Sequence, residues 1–146
     1  MKITIVYDNC QGKPDLKTGW GFSASFFGRL PGKKVNIVTA PGLICQQVFT
    51  TGELQGIEQS LAVKTDKGIV VITGCSHPGV RAILDAASRY GEIFGVIGGL
   101  HGFHDFAQLK GLSLICPCHC TQYKSDLSLL YTDKYVACGV GIELNL

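Results

Sequence analysis

The sequence predicts an α+β fold, with mixed β-sheets and helices on their outside, in one domain over residues 1–146. Three observations carry this. The first half alternates apolar and polar residues between Gly/Pro breaks, the pattern of antiparallel strands and hairpins. The second half alternates unbroken β-branched runs with helical spacing, the pattern of buried strands covered by helices. A chain of 146 residues, 46% hydrophobic and 16% charged, has the length and balance for a single core.

Taken in order, Ile3, Ile5 and Tyr7 alternate with polar neighbours and predict the first strand. Residues 11–19 read as a loop, and Trp20 to Phe27 alternates again as a second strand, stopped by Gly28 and Leu30-Pro31-Gly32. Lys33 to Thr39 reads as a third. Leu43 to Phe49 is ambiguous, with strand as the better reading, before a turn at Thr50-Thr51-Gly52. Ser60–Lys64 and Ile69–Thr73 flank Thr65-Asp66-Lys67-Gly68 and predict a hairpin. Val80, Ile83, Leu84, Ala87 and Tyr90 have helical spacing, with Gly91 as the stop. Ile93–Ile97 is a buried strand, 105–110 a short helix, and 112–115 a further strand. Thr121 is placed to cap a helix through Tyr131, and 134–138 and 142–146 close the chain as strands.

The chemistry gathers at the ends of the buried runs. Val70-Val71-Ile72-Thr73 enters Gly74-Cys75-Ser76-His77, Val96-Ile97 enters Gly98-Gly99-Leu100-His101, and Leu114-Ile115 enters Cys116-Pro117-Cys118-His119-Cys120. Open α/β sheets place their ligands at the carboxyl ends of strands. All four histidines lie between positions 77 and 119. A single histidine at a turn is more often a hydrogen-bonded turn residue than a ligand. Three at equivalent strand tips point instead to one shared site. A catalytic zinc takes three protein ligands and keeps a fourth position open, so His77, His101 and His119 are the candidate metal ligands. His104, three residues past His101, is a weaker candidate.

Seven cysteines are many for this length, and the odd number argues against a disulfide framework. Cys10, Cys45 and Cys138 read as small core hydrophobes. Cys75, Cys116, Cys118 and Cys120 adjoin histidines and remain open as ligands. A structural zinc or iron-sulfur cluster at 116–120 is disfavoured, because zinc spacing usually wants a second Cys/His pair elsewhere and none is present. Ser76 beside His77 is a poor nucleophile candidate, since sequence neighbours seldom face each other. The Gly-rich turns lack the Lys-Ser/Thr end of a phosphate loop.

A formal charge of +2, without a basic run, gives no reason to expect nucleic acid. The amino terminus is too short and too alternating for a signal peptide, and no apolar run is long enough to span a membrane. The expected location is the cytoplasm.

Several segments resemble the metallo-β-lactamase superfamily. They include Tyr7-Asp8-Asn9, Thr18-Gly19-Trp20-Gly21-Phe22-Ser23, Thr50-Thr51-Gly52-Glu53 and Glu58-Gln59-Ser60-Leu61. The most specific are Thr73-Gly74-Cys75-Ser76-His77-Pro78-Gly79, Ile97-Gly98-Gly99-Leu100-His101 and Pro117-Cys118-His119-Cys120-Thr121. The branch they resemble comprises metallo-hydrolases named as dihydropterin-linked phosphate synthases of methanopterin biosynthesis. The resemblance implies an αββα sandwich with a two-metal site along one sheet edge. It assigns His77 to the first metal, His119 to the second, and His101 to a place near the bridging acid. The family's H-x-H-x-D-H motif should lie between Phe27 and Val35, where only Gly28 to Lys34 stand. The resemblance is therefore to a shortened member.

Two functions follow as expectations. One is a metal-dependent hydrolase relative with a reduced, one-metal or vestigial site. It would use Zn²⁺ or another divalent transition metal to activate water toward a phosphoester or similar polar bond. The other is an inactive scaffold or binding subunit, which a partner chain carrying the missing motif could complete. Shortening should also uncover apolar sheet surface, so a homo-oligomer, most simply a dimer, is expected.

Overall fold

The structure is a computed structural model that describes residues 2–7, 12–15, 23–26 and 39–146. Its strands are β1 (Lys2–Tyr7), β2 (Ser23–Phe26), β3 (Gly42–Cys45), β4 (Val48–Thr50), β5 (Leu61–Thr65), β6 (Gly68–Thr73), β7 (Ile93–Gly98), β8 (Leu114–Pro117) and β9 (Glu143–Asn145). Helix α1 spans Val80–Ala87 and α2 spans Lys124–Leu130. One sheet has the order β2-β1-β9 and the other β3-β4-β5-β6-β7-β8. Pairing is antiparallel from β3 to β6 and parallel from β6 to β8. The change follows from the connections. A four-residue turn can only fold β6 back on β5, whereas α1 carries the chain across the sheet to enter β7 in the same direction.

The run Ile69-Val70-Val71-Ile72 is buried on both faces, which is why it shows no polar alternation. Val70 and Ile72 face the three-stranded sheet and pack with Ile3, Ile5, Ile97 and Leu144. Ile69 and Val71 face the helices and pack with Val80, Ile83, Ala87, Val96 and Leu127. The result is two sheets face to face with both described helices on the outside of the larger one, an α+β arrangement of mixed sheets. The second helix layer of an αββα sandwich is not among the described residues. No helix among those residues is long and apolar enough to cross a membrane.

Several elements differ from the sequence reading. Leu43–Phe49 is not one strand but a tight hairpin of β3 and β4, turned at Gln46-Gln47 with Gln47 at φ 64°. The spacing 80–90 gives α1 followed by a 3-10 turn at Ser88–Tyr90, and 105–110 gives a 3-10 turn at Phe106–Leu109. Thr121 does not cap a helix. Its hydroxyl accepts the Leu100 N–H at 2.9 Å, and α2 begins three residues later. The segment 134–138 makes only a bridge at Ile115↔Tyr135 rather than a strand. Cys138 is in the core as expected, yet it is disulfide-bonded to Cys118 across a Cα separation of 5.2 Å, a span that such a bond bridges. The expectation of free thiols is corrected at this pair. The predicted strand at 33–39, apart from Thr39, lies outside the described residues, as do Trp20, Cys10 and the stretch Gly28–Lys34.

Ile97 lies one residue before the end of β7 and is fully buried between the sheets. Ile97→Ala should cost roughly 2–5 kcal/mol, read as a lower urea midpoint at constant m-value. A loss below about 1 kcal/mol would contradict its place in the core.

Candidate functional site

Register gathers the site. In the parallel pairs Thr73 lies opposite Gly98 and Gly98 opposite Pro117, so β6, β7 and β8 end level with one another. The loops after them leave the same edge and are tied together. Gly99 N–H donates to Gly74 O at 2.8 Å, Cys118 N–H to Gly98 O at 2.7 Å, and Gln122 N–H to His101 O at 2.9 Å. Two loop residues, Ser76 (φ 62°) and His101 (φ 46°), adopt left-handed backbone although neither is glycine. Such conformations persist where the surroundings over-determine them, and they cluster at functional sites.

Glu58 holds the β6 loop from below. Its Oε1 accepts the N–H of Cys75 at 3.0 Å and of Ser76 at 3.2 Å, and the Thr73 hydroxyl at 3.3 Å. Its Oε2 lies 3.2 Å from the His77 N–H and 3.0 Å from His77 Nδ1. Burial pushes the Glu58 carboxyl upward, but the backbone donors of His77, Ser76 and Cys75, with the His77 ring, outweigh it and hold the group below its ordinary value. Glu58 is thus ionised at neutral pH and must accept. The Nδ1 of His77 carries the proton, which leaves Nε2 of the neutral ring as a lone-pair donor.

The strand-tip side chains form two groups. In the first, His77 and His101 face each other with ring centroids 5.2 Å apart. They line an open cleft of about 300 Å³ together with Val80, Leu100 and Phe103. In the second, the donor atoms of Cys75, His119 and Cys120 lie within 4.8 Å of one another, with Cys75 Sγ 3.1 Å from His119 Nε2. Gly99 is what lets them close up. A Cβ there would meet Cys120 Sγ and come within 2.8 Å of His119 Cε1. Burial, with Cys120 and then Glu58 nearby, pushes the Cys75 thiol up to about 11, so it is no thiolate nucleophile at neutral pH.

Of the residues expected in the site, His77 and His101 therefore come together, while His119 joins two thiols. His104 Nδ1 donates to Gly102 O at 3.1 Å, as a turn residue. Ser76 is buried, and its hydroxyl donates to Gly99 O at 2.7 Å, consistent with a structural rather than nucleophilic part. The Cys116–Cys118–Cys138 group contains the disulfide and has only Cys116 as a thiol. Sequence reasoning did not pick out Glu58 as part of the site, because nothing in its own neighbourhood signals that role. It left Cys75 and Cys120 open without joining them. No second Cys/His pair is evident in the sequence beside 116–120, yet Cys75, just past the end of β6, lies next to His119 and Cys120.

No family model matches the chain. The chain is 33% identical over 82 residues to 7,8-dihydropterin-6-methyl-4-(beta-D-ribofuranosyl)-aminobenzene-5'-phosphate synthase of Methanocaldococcus jannaschii, covering 47% of this chain and 28% of that protein. It is 36% identical over 84 residues to an uncharacterized protein of the same archaeon, covering 51% and 32%. The chain thus spans less than a third of either relative. A crystal structure described as a metal-dependent hydrolase of the beta-lactamase superfamily superposes over 100% of this chain and 99% of its own, with a TM-score of 0.76 at 19% identity. That likeness shows the fold.

Glu58 gives a pH signature. Its carboxyl is held down by folding, so its stabilisation is complete above the ordinary value of 4.5 and is lost as pH falls through the lower folded value. Glu58→Gln should therefore destabilise by about 1.5–3 kcal/mol near neutrality, the worth of charged hydrogen bonds, with the gap to wild type narrowing in acid. Urea unfolding across the acid range measures this. A gap that stays constant or widens in acid would show that the carboxylate is not the loop's anchor.

Proposed function

We propose, on the premise that the chain has the metallo-β-lactamase fold of metal-dependent hydrolases, that it is a hydrolase relative with a reduced site of one divalent metal, most simply Zn²⁺. The observation that carries the reading is the level ending of β6, β7 and β8, which sets His77, His101 and His119 on one edge. We assign these three histidines to the metal. The donors suit the group: imidazoles and thiols on three adjacent loops are a transition-metal set rather than a magnesium set. When bound, the metal would supply Lewis acidity to polarise a substrate oxygen and activate water toward a phosphoester or similar polar bond.

The chain's own residues do the positioning. Glu58 fixes the His77 tautomer and aims Nε2 away from the carboxylate, as carboxylate partners of metal-binding histidines do. The cleft walls of Val80, Leu100 and Phe103 give an apolar margin against which a substrate could seat. A second reading rests on one sequence fact: Gly28–Lys34 holds no histidine or carboxylate where the superfamily's motif would stand. On that reading the chain is a non-catalytic scaffold, or a subunit completed by another chain. We also propose a homodimer and a cytoplasmic location. The exposed Leu43 and Ile44 on edge strand β3 favour self-association.

Elemental analysis of protein purified without added metal should find about one divalent ion per chain. His119→Ala and His77→Ala should each lose it, along with any hydrolysis of a chromogenic phosphodiester. Metal-free protein with unchanged stability in both variants would overturn the hydrolase reading in favour of the scaffold.

A further inference from the structure

We infer that Cys75 and Cys120 are themselves metal ligands and, with His119, form a two-thiolate, one-imidazole centre selective for thiophilic ions such as zinc and cadmium. The inference rests on the proposed metal at His119 and extends it to two residues that the histidine reading leaves out. Their donor atoms and that of His119 already lie within 4.8 Å of one another, supplied by two segments 44 residues apart in sequence.

Three observations distinguish this group from ordinary core cysteines. Cys45 and Cys116 are buried, as core thiols usually are, whereas Cys75 and Cys120 are only partly covered. Both flank the strand-tip edge on which the histidines stand. The group is also built at a structural cost, since Gly99 must carry no side chain for Cys120, His119 and the Gly74 carbonyl to close in around it. Two sulfurs and one ring nitrogen are the protein set of one known class of catalytic zinc, in which a fourth position stays open. Thiolates favour zinc and cadmium over magnesium, calcium and manganese. Zinc displaces the thiol protons to solvent as it binds, and no oxidation or reduction is involved.

Cobalt and cadmium substitution of the full chain tests this. Anaerobic titration with Co²⁺ should develop thiolate-to-cobalt charge-transfer absorption at one equivalent. That band should be abolished in Cys75→Ser and in Cys120→Ser, and should survive in His104→Ala, a turn residue outside the site. Cadmium NMR of the wild-type protein counts sulfur ligands without any variant, and a shift in the two-sulfur range supports the centre even if a cysteine variant folds poorly. Stoichiometric cobalt without the thiolate band, lost in His77→Ala, would overturn the inference and leave the histidine site standing. Absence of bound cobalt would overturn both.

Discussion

A single carboxylate organises the end of the sheet at which the strand-tip histidines and cysteines gather. Glu58 accepts from three consecutive backbone N–H groups, a threonine hydroxyl and a histidine ring. Without it the turn from Thr73 to His77 would present unpaired donors at the mouth of the sheet, and buried donors without acceptors are costly. The left-handed backbone at Ser76 is tolerated because this cage, with the Ser76 hydroxyl on Gly99 O, fixes the residue from both sides. The same contacts decide which ring nitrogen of His77 is free. One interaction thus links the shape of the loop to the chemistry of its side chain.

Around that anchor, strand register does the rest. Two parallel pairs ending level convert three separate stretches of sequence into one edge. Small residues at the tips, Gly74, Gly98 and Gly99, let the loops touch through backbone hydrogen bonds rather than stand apart. The edge is not uniform. Its cleft side presents two imidazoles beside apolar walls, and its inner side presents a thiol pair with the third imidazole.

Much of this was legible in the residues. The β-branched run at 69–72 reads as a strand buried on both faces, and the histidines in the turns after the three runs marked the edge. The long-range parts were not. Thr121 has every local mark of a helix cap, yet it serves Leu100 across the sheet edge. Glu58 lies in a loop 15 to 19 residues before the groups it binds, and only the return of β5 along β6 brings it beneath them. Cys138 looks like any small core residue until the chain after α2 folds it against Cys118. Local periodicity sees neither a carboxylate's distant donors nor a thiol's distant partner.

Glu58 fixes the His77 ring. Nitrogen NMR of the imidazole ring, assigned with a His77→Gln variant and recorded where the ring is neutral, reads the tautomer directly. A proton on Nδ1 with a bare Nε2, shifting toward a mixture in Glu58→Gln, is the result this geometry requires. A wild-type ring protonated on Nε2 would contradict it.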